Sequence, residues 1–146
     1  MKTEKIKIIP TEGCSLIMFG ASDTDVLNAI GEPDDRESIE EDEEDYNSEI
    51  WYYDDYGITL FLDEMDDEGL LVSGIELENE NCELEGVSVI GKSIDEIKKI
   101  AVKANYGELD EEKEEWGEYR LSYEDKIIDF YFDENKKLIS ISIGME

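Results

Sequence analysis

The sequence predicts an α+β fold, a tandem duplication of a strand–helix–three-strand antiparallel meander unit with the helices packed on one sheet face. Three observations carry that expectation. "LIMFGASDTDVLNAIG" (16–31) and "VSVIGKSIDEIKKIAV" (87–102) share one layout of short apolar strand, glycine, linker, serine and helix. "WYYDDYGITLFLDE" (51–64) matches "LSYEDKIIDFYFDE" (121–134), and "VSGIEL" (72–77) matches "LISISI" (138–143) in the same order. Alternating apolar residues at Ile58, Leu60 and Leu62, and at Ile128, Phe130 and Phe132, read as strands with one buried face. The 146 residues then form one compact domain, 1–146, of two repeats at about 4–80 and 84–146, long enough for a single core.

Each helix has a start signal. Ser22 with Asp25, and Ser93 with Glu96, fit a capping box, in which the hydroxyl accepts an orphan backbone N–H and the acid reaches back. Val26, Leu27 and Ile30 follow at helical spacing in the first copy, and Ile97, Ile100, Ala101 and Ala104 in the second. Gly31 with Pro33 ends the first helix, and Asn105 with Gly107 the second. Acidic connections, 32–48 and 107–117, lead into the meanders, whose turns fall at "DDYG" and "EDK", then at "DEMDDEG" and "DENKK". A further strand around Lys5–Ile9 adds to one sheet edge. Strict alternation puts Trp51, Tyr53, Thr59 and Phe61 on the uncovered face of the first sheet. In the second it puts Tyr119, Leu121, Tyr123, Asp129 and Tyr131 there, and a bulge would invert either assignment.

Charge bounds the function. There are 42 Asp and Glu against 13 Lys and Arg, for a net charge of −29. Nucleic acid and anionic membrane are bound by bases that neutralise phosphates, so neither is an expected partner. Basic proteins and cations are attracted instead. Histidine is absent and Cys14 and Cys82 form no CxxC pair, which removes imidazole zinc sites, Ser-His-Asp triads and Cys-His dyads together. Two buried thiols are the expected state of the cysteines in a cytosolic protein. "MKTEKIKIIP" lacks the apolar stretch of a signal peptide, and no apolar run has the length of a membrane span. A soluble, cytoplasmic protein is the expectation.

Tandem strand–helix–meander copies with capped helices and aromatic sheets resemble the beta-lactamase-inhibitor-protein-like fold. The helix start on Phe19, Gly20, Ser22, Asp25 and Val26, followed by Gly31, Glu32 and Pro33, also resembles the small outer-membrane assembly lipoproteins that share this unit. The chain departs from those lipoproteins in lacking a signal peptide and lipobox, and from the secreted inhibitor in lacking export and paired disulfides. The resemblance implies a duplicated, inhibitor-like scaffold.

No residue is nominated as catalytic and no cofactor or metal is expected. With so many carboxylates, some pair always falls at a glycosidase-like separation. "DEMDDEGLLVSGIE" fails as an EF-hand, because Met65 and Glu68 stand at its third and sixth positions. The aromatic–acidic junctions are the candidate partner-binding residues: Asp42, Glu43, Glu44, Asp45, Tyr46, Trp51 and Tyr53 in the first copy, and Glu111, Glu112, Glu114, Glu115 and Trp116 in the second. Aromatic anchors with an acidic rim suit a cationic partner. The same pattern fits a solvated loop feeding core strand residues, and spacing does not decide which way Trp51 and Trp116 face. The expected function is a non-catalytic inhibitor or immunity protein that occludes a basic partner such as a nuclease toxin. The alternative is a structural or small-ligand-binding module that uses the aromatic sheet face. Self-repulsion of the carboxylates implies that the melting temperature rises with added monovalent salt through screening. A flat or falling response in a salt series would mean that the charges are locally paired.

Overall fold

Both helices start at the serines that the sequence marks. In the computed structural model, which describes residues 5–40, 47–64, 69–78, 80–113 and 118–145, α1 (Asp23–Ile30) is capped by Ser22 and α2 (Ile94–Lys103) by Ser93. Each box is complete. Ser22 Oγ accepts from Asp25 N–H at 3.1 Å and Ser93 Oγ from Glu96 N–H at 3.3 Å. The two acids accept in return from the serine N–H groups at 3.1 and 3.5 Å. Gly20 and Gly91, two residues upstream, sit at φ 86° and 91°, a conformation glycine adopts without steric cost.

In chain order the strands are β1 (Ile6–Ile9), β2 (Gly13–Cys14), β3 (Asp35–Glu40), β4 (Asn47–Tyr53), β5 (Ile58–Glu64), β6 (Leu70–Leu77), β7 (Cys82–Leu84), β8 (Val87–Ser88), β9 (Asp110–Lys113), β10 (Tyr119–Tyr123), β11 (Ile128–Phe132) and β12 (Leu138–Gly144). Of the described residues 50% lie in strands and 17% in helical turns. The molecule is therefore mostly β, and the expected α+β class, with helices covering a meander, is wrong. Two features account for the difference.

First, the acidic connections 32–48 and 107–117 are not plain loops. They contain β3 and β9, which pair antiparallel with β4 and β10 at the two edges of the large sheet. All four residues of β9 are exposed, so no apolar alternation marks it in the sequence. Second, the meanders are halves of one sheet. β6 and β12 pair antiparallel and join them into eight strands, in the order β3-β4-β5-β6-β12-β11-β10-β9. That order mirrors itself about the β6–β12 seam.

The remaining strands form a small second sheet, β2-β1-β7-β8. β1, expected at a sheet edge, lies inside it and runs parallel to β7. The element order β-β-α-β-β-β-β therefore occurs twice, from Ile6 and from Cys82. The two helix starts are tied to the large sheet in matching ways. Gly20 N–H donates to Val72 O at 2.9 Å, and Gly91 N–H to Leu138 O at 2.8 Å.

One hydrophobic core fills the space between the inner face of the large sheet, the small sheet and the helices. The helices give it little, namely Val26 from α1 and Ile94, Ile97 and Ala101 from α2. Leu60, Leu62, Ile75, Leu77, Phe130 and Ile141 are fully buried, each contributing roughly 1.5–3 kcal/mol relative to exposure. Ser22→Ala and Ser93→Ala are each expected to cost about 1 kcal/mol in urea unfolding, with serine-to-threonine exchange retaining most of the stability. No loss in either alanine variant would show that the caps do not hold the helix starts.

Candidate functional site

Hairpin register decides which side chains face outward. The four-residue turn 54–57 pairs Tyr53 with Ile58 and Trp51 with Leu60, so all four share the inner face. Trp51 is 1% exposed and Tyr53 3%. Their placement on the uncovered face is thus corrected, as is that of Leu121 and Tyr123, both buried. Their polar atoms are satisfied where they lie. Trp51 Nε1–H donates to Glu49 Oε1 at 2.9 Å, and the Arg36 guanidinium covers the ring at 4.3 Å from its centroid. Tyr53 O–H donates to Gly31 O at 2.8 Å; burial pushes that hydroxyl up to about 12. Neither ring is available as a partner anchor.

The other face of the large sheet has no described element packed on it. One row of side chains crosses all eight strands, from Asp35 through Tyr52, Thr59, Glu76, Ser142, Asp129 and Ser122 to Asp110. At the usual strand spacing the row is roughly 34 Å long. Over β4–β6 the face forms a cleft of about 540 Å³, lined by Ile50, Tyr52, Thr59 and Phe61 and by the carboxylates of Asp54, Asp55, Glu76, Glu78 and Glu80. No lysine or arginine lines it.

Glu76 stands at the centre of this face, on the seam strand β6. Desolvation first, and then repulsion from Glu78, hold its carboxyl above the ordinary range. Its field helps to hold up the hydroxyls of Tyr52 and Tyr131, where desolvation is again the leading cause.

Among the expected partner-binding residues, Asp42, Glu43, Glu44, Asp45, Tyr46, Glu114, Glu115 and Trp116 lie outside the described residues. Glu111 and Glu112 are exposed on edge strand β9, but both are engaged. Lys98 Nζ donates to both Glu111 oxygens at 3.1 and 3.2 Å, and Arg120 pairs with Glu112. Tyr52, Glu76 and Arg120, which the structure places on the uncovered face, are not marked as site residues by the sequence. The available signal was a carboxylate at an alternate position of an otherwise apolar strand, "SGIEL".

No family model and no curated protein compared with the chain matches it. Two solved structures resemble it. One is an extracellular protein containing an SCP domain from Bacillus anthracis str. Ames, with TM-score 0.52 and 14% identity over 100% of this chain and 50% of that one. This chain spans about half the length of that protein. The other is the uncharacterized protein yfeY from Escherichia coli, with TM-score 0.53 and 10% identity, covering 97% of this chain and 99% of that one. At such identities the likeness shows a shared fold and carries nothing about inhibition or immunity. Among the described residues no helix is long and apolar enough to cross a membrane.

Because Glu76 is held above its ordinary 4.5 in the folded state, ionising it opposes folding. That handicap is absent below the ordinary value, grows as pH rises towards the folded one, and is complete above it. Glu76→Gln is therefore expected to be more stable than the parent at about pH 7, with the difference vanishing towards about pH 4. Urea melts at both pH values test this, and an equal gain at both would show that ionisation of Glu76 is not the cause.

Proposed function

We propose that this protein is a non-catalytic inhibitor or immunity-type protein that captures a basic protein partner, such as a nuclease toxin, and blocks it by occlusion. The observation that carries this reading is the base-free cleft of carboxylates on the uncovered sheet face, together with a lopsided charge along the sequence. Residues 1–81 hold 25 acids and four bases, whereas residues 82–146 hold 17 acids and nine bases. Three of the five ion pairs among the described residues lie wholly in the second half, Lys92–Glu96, Lys98–Glu111 and Arg120–Glu112. The first half has one of its own, Arg36–Glu32. An excess of uncompensated carboxylates beside an aromatic cleft favours fast, steered encounter with a cationic surface.

The reading places the protein in the cytoplasm, a reducing compartment. Cys14 and Cys82 are buried thiols in the core with no disulfide between them, the usual state in that environment. In occlusion, the carboxylates of β3–β6 stand where nucleic-acid phosphates would lie on the basic enzyme, and the cleft rings supply the contact area. The experiment is cross-linking in the source cell, followed by titration of the recovered basic protein with the purified chain. A one-to-one complex, salt-sensitive in its association rate and inactive in the partner's own assay, is expected. A partner that keeps full activity in the complex would sink inhibition, and a neutral or acidic partner would sink the electrostatic reading.

A further inference from the structure

The two halves of the uncovered face can be compared position by position, because register runs the same way outward from the seam. In the first half Glu37, Ile50 and Phe61 stand side by side on β3, β4 and β5. In the second, Glu112, Arg120 and Tyr131 occupy the matching places on β9, β10 and β11. Both trios have an edge-strand carboxylate and an aromatic ring. The middle residue is where the charge changes, and the ring loses its hydroxyl from Tyr131 to Phe61. Arg120 pairs with Glu112 and stands beside Tyr131 in the ladder, so the second half supplies its own cation.

The first half keeps the acid and the ring but has Ile50 between them. Its adjoining cleft is walled by five carboxylates and no base. Arg36 is the one base between residues 8 and 91, and it lies over Trp51 on the opposite side of the sheet. We infer that the first half takes from its partner the group that the second half carries itself: an arginine on an extended basic segment, seated over Ile50 against Phe61 and Tyr52 and paired with Glu37 as Arg120 is with Glu112. This rests on the basic-partner reading above and narrows it from a surface to one anchoring side chain.

Arginine suits this place better than lysine. Its guanidinium is planar, stacks on rings, pairs bidentately with a carboxylate and is weakly hydrated, whereas an ammonium is a compact, strongly hydrated charge. A second copy of the chain is a poor occupant, since apposing two such faces brings the same carboxylates together.

The probes are oligoarginine and oligolysine peptides of equal length, titrated calorimetrically at one fixed, physiological ionic strength. The parent is expected to bind oligoarginine about tenfold more tightly, the scale of a partly desolvated cation–aromatic contact. Ile50→Arg, which copies the second half's own cation into the first, is expected to erase that preference. Asn28→Arg, on the exposed side of α1, makes the same charge change elsewhere and is expected to keep it. Should Ile50→Arg disturb folding by circular dichroism, Glu37→Gln and Phe61→Leu are read instead, each expected to reduce the preference. Equal binding of both peptides by the parent overturns the arginine anchor and leaves the basic-partner reading standing. So does a preference that survives both Ile50→Arg and the paired Glu37 and Phe61 variants. Binding of neither peptide, even at low salt, removes the basic-partner reading itself.

Discussion

The β6–β12 pairing is the contact on which the rest of the structure depends. Leu77 faces Ile141 across it, Glu76 faces Ser142 and Ile75 faces Ile143. This register sends the two apolar pairs inward and the polar pair outward. A slip by one residue would carry Glu76 into the core and the isoleucines to the solvent. From this seam each half extends outward through three further strands. The helix starts depend on it as well, because Gly20 and Gly91 donate to Val72 and Leu138 on the two seam strands.

Different parts of this arrangement were legible in the sequence to different degrees. The capping boxes at Ser22 and Ser93 were, since they depend on residues three apart whose chemistry is local. The inner strands were too, because burial on one face imposes a period of two. The edge strands β3 and β9 were hidden, since a charged strand solvated on its outer side carries no such period. The side on which Trp51 lies was also hidden. It depends on the register set by the turn 54–57, and an aromatic residue suits either face.

The candidate site was legible only as composition. Acid abundance pointed to a cationic partner, and the junction at 40–53 drew attention to Trp51 and Tyr53. Both proved to be core residues. The residues that define the uncovered face, Tyr52, Phe61 and Glu76, come from three strands and meet only across the ladder. Nothing in their spacing announces them together. Similarly, Glu37 and Ile50 become the counterparts of Glu112 and Arg120 only when β3 and β9 are known to be strands. The charge is therefore not a uniform coat: the second half neutralises part of its own, and the first leaves a cleft of carboxylates beside the half-buried rings of Tyr52 and Phe61.

The seam also bears on how the chain reaches this state. β6 is the most interior strand of the first half, yet its pairing partner β12 follows all the other elements of the second. Until that partner arrives, β6 presents an unpaired row of backbone donors and acceptors along an apolar stretch, "LLVSGIEL". Its flank lacks the charged guard that β3 and β9 give the finished edges. Such a flank pairs readily with any extended strand it meets. Nascent chains of this protein thus carry their most adhesive surface at the centre of the future sheet, and prompt closure of the second half is what shields them from one another.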